Sequence, residues 1–374
     1  MSNLKAVKEK IEKASVVGAG GAGFPAHIKI SENIDTILIN GVECEPLLKT
    51  DFYLIKTYKK ELFEALNFLC SELNIKSGVI AIKKHTAELL NIKDNESDNR
   101  ASFKIVGDIY PAGDEIILIK EALGKAVPPG NLPLSVSVVV FNVETLLNIK
   151  NAVTYDKPVT EKFFTVGGNT EKTYVVKADI GTKVDYVFKK LGIKVPDNCV
   201  VLDGGPMMGK IINHNTAEIT KTTKGLLIIE KNTLCIKQKL TNLGTALNRA
   251  SGSCCGCRMC TDMCPRYLMG YPIEPHKILS AFPKNGVTKT HKGAFYCSNC
   301  GVCETIACPQ NISPNKLFAK TKSELIKDGI KLDKYDAAAP KGVREYRKIP
   351  VSRVIDRLGI RKYYREEFTY IEVK

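Results

Sequence analysis

The sequence of 374 residues contains no apolar run approaching the ~20 residues that a membrane-spanning helix requires, its best stretch being Val136 to Phe141 with its neighbours. The opening MSNLKAVKEKIEKA has the pattern of an amphipathic charged helix and lacks the apolar segment of a secretory leader, so a cytoplasmic protein is expected. Long repeats and low-complexity tracts are missing too. A composition of 44% hydrophobic and 25% charged residues excludes wholesale disorder, collagen and multi-span membrane folds. The net charge is +15, yet no run of five or six basic residues occurs. A solvated basic surface is the plain reading of that spread, with an acidic partner or nucleic acid as its rivals.

What the sequence does have is clustered cysteine. Nine of 13 cysteines fall between Cys254 and Cys308, while Cys44, Cys70, Cys199 and Cys235 are scattered. A disulfide framework would be out of place in a chain of this size without a leader, so the cluster points to metal. Cys254-x2-Cys257-x2-Cys260-x3-Cys264-Pro265 has the bacterial ferredoxin spacing, and Cys297-x2-Cys300-x2-Cys303-x4-Cys308-Pro309 repeats it with one extra residue. The two-residue gaps wrap three thiolates around one cubane, and the distal cysteine before proline turns toward the other. This assigns cluster one to Cys254, Cys257, Cys260 and Cys308, and cluster two to Cys264, Cys297, Cys300 and Cys303. Zinc held by four cysteines would pair two C-x2-C knuckles and leaves the third cysteine and the Cys-Pro of each half without a use. Cys255 is spare, either a bystander or a ligand that moves the register by one place. Two [4Fe-4S] clusters move single electrons, so a flavin or another two-to-one converter is expected in the same chain.

The first 158 residues alternate short buried strands (Ile37 to Ile39, Gly78 to Ile82, Val136 to Phe141) with amphipathic helices (Glu61 to Leu73, Asp114 to Leu123), an α/β layout. Residues 159–235 follow with a hairpin, a helix (Lys183 to Leu191) and a strand (Cys199 to Leu202), a ββαβ order compatible with a small β-grasp module. Residues 240–325 carry the cysteines on short elements that cannot bury much apolar surface, so metal must hold them together. Residues 326–374 read as a basic tail containing Pro340, with one short helix near Ser352 to Leu358.

Gly18-Ala19-Gly20-Gly21-Ala22-Gly23 satisfies G-x-G-x-x-G, but Phe24-Pro25 follow at once where a dinucleotide fingerprint would open a helix. The residues suit either a backbone wrapped around a flat or phosphorylated ligand, with Lys29 placed for an anionic group, or a plain glycine turn. Together with Asn40-Gly41-Val42-Glu43-Cys44-Glu45-Pro46, this stretch resembles the flavin mononucleotide and NADH site of the complex I flavoprotein subunit. It is more similar still to the Rnf complex C subunit and to the cobalamin reductases of propanediol-degrading microcompartments. Tyr110 to Glu115, Val127 to Gly130 and Asn142 to Thr145 match later motifs of that site, with Asp114 at a position where the family has Gly or Glu. Gly204 to Gly209 closes the family's β-grasp module, called SLBB. Cys260 to Leu268, Pro272 to Lys277, Arg347 to Val351 and Arg357 to Gly359 resemble the cobalamin reductase branch. Those reductases usually continue into a further barrel-sandwich domain beyond the equivalent of Leu358-Gly359, and the Rnf proteins begin with one.

The resemblance implies an α/β flavin-binding domain, an SLBB module and a two-[4Fe-4S] ferredoxin-like α+β domain. It places Gly18, Gly20, Gly21, Gly23, Phe24 and Lys29 along FMN, Asn40, Glu43 and Glu45 near the ring and ribityl chain, and Asn142 and Thr145 at the phosphate end. No side chain need act as a general base, because the cofactors carry the chemistry. The implied activity is an NADH-dependent oxidoreductase passing electrons to a corrinoid or a redox partner protein, in the cytoplasm or a microcompartment lumen. The alternatives are a peripheral subunit docked on a membrane redox complex, an electron donor to an amino-acid reductase, a structural protein of a microcompartment, or a nucleic-acid-binding protein with clusters as staples. Nucleic acid is not the expected partner. Cys44 is expected to pack, His27 to border the flavin, and His85, His214, His276 and His291 to lie at the surface.

Overall fold

The computed structural model describes residues 2–336 and 348–374. Pro340 and Arg347, which belong to the expected tail, lie outside the described residues.

The first sheet is built from β1 (Thr36–Gly41), β2 (Ser77–Lys83), β3 (Ser97–Asp98), β4 (Ala101–Val106) and, after the short β5 (Ile109–Tyr110), β6 (Val138–Asn142). Its order is β3-β4-β2-β1-β6, with β1 parallel to both β2 and β6 and only β3 antiparallel. The central strands β1, β2 and β6 are largely apolar on both faces because both faces are covered. Ile37, Ile39, Val139 and Phe141 pack under the helices Thr50–Glu72 and Val143–Tyr155. Leu38, Val138 and Val140 pack on the opposite side, under the helix Glu115–Leu123. The chain runs outward through β1, β2 and β4, then returns to add β6 on the other side of β1. The crevice at the carboxyl ends of β1 and β6 is therefore a topological switch point, the place where open α/β sheets bind ligands.

Two elements depart from the sequence expectation. The first long helix begins at Thr50 rather than Glu61, because a non-helical turn at Tyr58 breaks the apolar period while Tyr53, Leu54 and Ile55 are already buried ahead of it. The strand expected from Val136 starts at Val138, since Pro133 opens a 3-10 turn that ends with Ser137 in the left-handed region at φ 58.

The second sheet takes β7 (Glu161–Gly168), β8 (Tyr174–Asp179), β9 (Cys199–Asp203), β10 (Lys210–Ile212), β11 (Gly225–Glu230) and, after the short β12 (Ile349–Pro350), β13 (Thr369–Val373). The order is β10-β9-β11-β7-β8-β13, with β11 parallel to β7 and the helix Val184–Lys190 packed on one face, a β-grasp arrangement. The segment expected to be a tail supplies β13, which runs parallel to β8, and β12, which pairs with β5.

The cysteine-rich segment is a chain of short helices from Leu243–Ser253 to Pro314–Lys327. It leans on the first sheet: Tyr271, Ile273, Ala294, Tyr296 and Phe318 join the core of the helix Glu115–Leu123. This seam brings the cysteines to the flank of the switch-point crevice.

Candidate functional site

A cavity of about 320 Å³ opens at that crevice. Gly18, Gly20, Phe24, Lys29, Asn40, Glu43, Glu45, Asn142 and Thr145 all line it, so residues spread over more than 120 positions of sequence meet at one place. Gly21 and Gly23, expected along the flavin, are not among the lining residues and instead shape the loop, with φ of 108 and 67 in the left-handed region that favours glycine. The loop is closed by Gly18 N–H donating to the Phe24 carbonyl at 2.9 Å and by Gly23 N–H donating to the Gly18 carbonyl at 3.2 Å. Its tip is tied to the helix Val143–Tyr155, where Ala19 N–H donates to Thr145 Oγ1 at 2.9 Å. A Cβ added at Gly20 would lie 3.6 Å from Asn142 Cβ, so the loop backbone passes close over the end of β6.

Strand register sets Asn40 beside Asn142. Asn142 Oδ1 caps the helix by accepting from Glu144 N–H at 3.0 Å, and its amide donates to both oxygens of Asp51 at 3.1 Å. Asn40 donates to the Gly113 carbonyl at 2.9 Å, which holds the Tyr110–Glu115 loop against the Val42–Glu45 loop. That contact is close: a Cβ on Gly113 would fall 2.6 Å from the Val42 carbonyl oxygen. Gly113 N–H also meets Cys44 Sγ at 3.3 Å, and burial pushes the Cys44 thiol up to about 12, so this cysteine packs as expected. Lys29 pairs with Glu115 at 2.8 Å and donates to the Val140 carbonyl at 3.1 Å.

The SLBB module reaches into the same cavity. Lys224, just ahead of β11, is buried against Asp51 and stands 3.8 Å from Glu43. Burial works against its charge, but Asp51 and Glu43 more than offset this and hold the ammonium above its usual range. Glu43 itself is raised by burial and by Asp51, and its Oε2 is buried without a partner among the described residues. The Glu45 carboxylate accepts from Met207 N–H at 3.0 Å and from Met208 N–H at 2.6 Å, so it locks the Gly204–Gly209 loop onto the cavity wall. A second buried pair, Lys162 with Glu144, fastens β7 to the start of the helix Val143–Tyr155.

On its other wall the cavity is lined by Ser298 and Cys300. The thirteen cysteines are all free, and the clustered ones form two sets. Burial and the thiols of Cys308, Cys254 and Cys257 push Cys260 up to about 12, while burial and Cys297 do the same for Cys264. Cys303 is raised by burial and then by Cys297, Cys300 and Cys264. The neighbourhoods are thus those of the expected sets, 254/257/260/308 and 264/297/300/303. Among the described residues no three His, Cys, Asp or Glu side chains converge tightly enough to share one metal ion. Two sets of four thiols have the number that two cubanes require. The two halves also share a backbone signature: positive φ occurs at Gly256 and Arg258 in one and at Asn299 and Gly301 in the other, the third and fifth residues of each motif. Such left-handed turns form concave nests of N–H groups of the kind found around iron-sulfur sites.

Two contacts bind the second cysteine set to the crevice. Tyr110 Oη donates to the Cys300 carbonyl at 2.6 Å, and Arg266, two residues past Cys264, pairs at 2.8 Å with Asp114, the cap of the helix Glu115–Leu123. Asp114, the departure from the family pattern, therefore has a partner of its own. Sequence reasoning missed Lys224, Arg266 and Ser298 as cavity neighbours, because nothing in a Thr-Lys-Gly or Cys-Pro-Arg step marks a long-range partner. His27 sits behind the loop, 3.5 Å from Glu12, and His291, expected at the surface, is buried against Thr288.

The buried unpartnered carboxylate oxygen, the glycine backbone close over Asn142 and the helix start at Thr145 fit a flat ligand with a phosphate tail. Comparison with known proteins agrees. Residues 11–151 match the Nuo51 FMN-binding domain, and residues 253–313 match the 4Fe-4S dicluster domain. The chain is 36% identical over 370 residues to the cobalamin reductase PduS of Citrobacter freundii, covering 97% of this chain and 81% of that protein. Identity to the cobalamin reductase PduS of Salmonella typhimurium is also 36%, over 96% of this chain and 80% of the relative. A component of the ion-translocating oxidoreductase complex of Buchnera aphidicola is 30% identical, over 84% of this chain and 64% of that protein. Among solved structures, the NAD+-reducing [NiFe]-hydrogenase in its H2-reduced state superposes with a TM-score of 0.53 at 15% identity, over 86% of this chain and 60% of that one, a likeness of fold.

Proposed function

The chain belongs to the cobalamin reductase family, and from that premise we propose that it takes electrons from NADH at the switch-point cavity and delivers them to a corrinoid. It is an oxidoreductase of the flavin and iron-sulfur electron-transfer type. When bound, FMN and the two [4Fe-4S] clusters supply the conversion between a two-electron donor and one-electron acceptors. The residues that would hold FMN are the Gly18–Phe24 loop, Asn40, Glu43, Asn142 and Thr145. Cys264, Cys297, Cys300 and Cys303 would hold cluster two, and Cys254, Cys257, Cys260 and Cys308 cluster one.

The observation that carries this reading is a shared wall: Cys300 lines the same cavity as the glycine loop. Cluster two's ligands therefore adjoin the flavin site. Cluster one's do not line that cavity, and one of them, Cys257, is exposed. The order flavin, cluster two, cluster one gives the electrons a path from the cavity to the surface. No helix among the described residues is long and apolar enough to cross a membrane. A microcompartment lumen, the setting the resemblance implies, is the location we propose. The exposed Cys257 also suits a protein acceptor docked at cluster one, the alternative to a free corrinoid.

The test is anaerobic purification with iron, sulfide and flavin counted per chain, followed by NADH reduction watched optically. A Cys257→Ala, Cys300→Ala double variant should keep NADH oxidation with an artificial acceptor that takes electrons from flavin, and should lose corrinoid reduction. Corrinoid reduction that survives loss of both clusters would overturn the order proposed here.

A further inference from the structure

A second cavity of about 320 Å³ lies across the Glu43–Leu48 loop from the first. Glu43, Glu45 and Leu48 belong to both walls, so a single loop separates the two spaces. The far wall comes from the start of the helix Lys84–Leu90 and from the C-terminal residues Pro350 to Tyr364. Its volume is that of a small-molecule site.

Two of the ammonium groups on it lack ion-pair partners among the described residues. Lys49 is 9% exposed, and its ammonium has no hydrogen bond or ion pair among the described residues; it sits 4.9 Å from the centre of the Tyr364 ring. Lys83, half-buried on the same cavity, likewise has no ion pair among them. The two ammonium groups act on each other: burial and then Lys83 hold Lys49 below its usual range, against the weaker pull of Glu43 and Glu366. The acids of the lining are held by backbone N–H groups, Glu43 through one of its two oxygens. Glu43 accepts from Asp51 N–H at 3.2 Å, Glu45 holds the Met207–Met208 backbone, and Asp108 accepts from His85 N–H at 2.8 Å. His85 Nε2 is buried with no hydrogen-bond partner among the described residues, its nearest acid being Glu366 at 3.9 Å. Arg361 stands at the rim, paired with Asp356.

Two like charges facing one cavity, one of them carried by a side chain that is nine-tenths buried, are stabilised by an anion that joins them. A carboxylate offers one charge. A phosphate monoester brings about −1.5 to −2 and three acceptor oxygens, enough for both lysines and for the free imidazole nitrogen. Phe52 and Tyr364 supply aromatic surface beside the lysines. We propose that this cavity is a binding site for a phosphorylated small molecule, with the phosphate held between Lys49 and Lys83 and any ring system laid against Tyr364 and Phe52. The site is separate from the flavin cavity and stands whether or not that cavity binds NADH.

The test is calorimetric titration of the holoprotein with inorganic phosphate and, separately, with ADP, on the wild type and on a Lys49→Met, Lys83→Met double variant. Lys83→Met alone serves in case the buried change disturbs folding, and flavin content per chain is measured throughout. The wild type should bind one equivalent, and the variants should bind about tenfold more weakly or worse, the loss expected from one charge-assisted contact, with flavin retained. Phosphate as tight as ADP assigns the site to the free anion, and tighter ADP assigns it to a nucleotide. Equal affinity in wild type and both variants, or no binding of either probe, overturns the proposal.

Discussion

Between residues 36 and 142 the chain makes strands covered on both faces, and the side chains of Ile37, Leu38 and Ile39 are fully buried. Between 243 and 327 it makes no strand, and its helices run from four residues to 14. The core private to that second region is small, and Cys260, Cys303 and Cys308 are themselves part of it. The first region is held by buried apolar area, the second by the ligands of its metal. Cofactor loss should therefore act on them differently: FMN would sit in a crevice between elements held by their own apolar core, whereas the clusters replace a core.

The largest effect that would break this contrast is metal removal. Stripping iron anaerobically should leave residues 243–327 open to protease while the two sheets stay protected, with flavin retained; protection read fragment by fragment by mass spectrometry checks it. Uniform survival would show that the helices fold on their apolar contacts alone. Within the flavin half, the buried charges come next. Lys224→Met leaves Asp51 and Glu43 buried without their cation and should cost about 3–5 kcal/mol, measured by denaturant unfolding. Burial opposes the Lys224 charge, but Asp51 and Glu43 raise its value above that of an unfolded lysine. Its contribution is thus complete at neutral pH and is lost only as pH climbs through that raised value.

A smaller and more local change is Gly23→Val. The position has φ 67, and the new Cβ would lie 2.8 Å from Thr222 Cγ2, a side chain on the SLBB module. The backbone term alone is about 1–2 kcal/mol. Flavin should be lost on desalting while iron stays at the wild-type count, as absorbance and metal analysis would show. Flavin held with unchanged affinity would reduce the loop to a turn.

Much of this was legible in the sequence, for reasons that differ by region. The cysteine spacing is local, so the two motifs announced their clusters without any knowledge of the fold. Buried strands such as Gly78 to Ile82 were legible because both faces are apolar, which leaves short continuous runs. The cavity residues were visible only through motif resemblance, since Asn40 and Asn142 meet by strand register across 102 positions. Lys224 and Arg266 stayed hidden because each acts through one long-range ion pair. β13 was missed because Thr369 to Val373 is half-exposed at a sheet edge and carries little apolar pattern.

The smallest expected effect settles the register of cluster one. Cys255 is exposed, and the thiols that act most strongly on Cys260 are those of Cys308, Cys254 and Cys257. The two motifs superpose in backbone conformation when Cys254 is matched to Cys297: left-handed residues then fall together at Gly256 with Asn299 and at Arg258 with Gly301. In that match Cys255 takes the place of Ser298, a residue that ligates nothing in the second motif. Moving the register by one would set Cys255 against Cys297 and part both left-handed pairs. Cys255→Ser should therefore leave iron and sulfide at about eight atoms each per chain, the content of two [4Fe-4S] clusters. Loss of about four irons in that variant would make Cys255 the ligand and Cys254 the bystander.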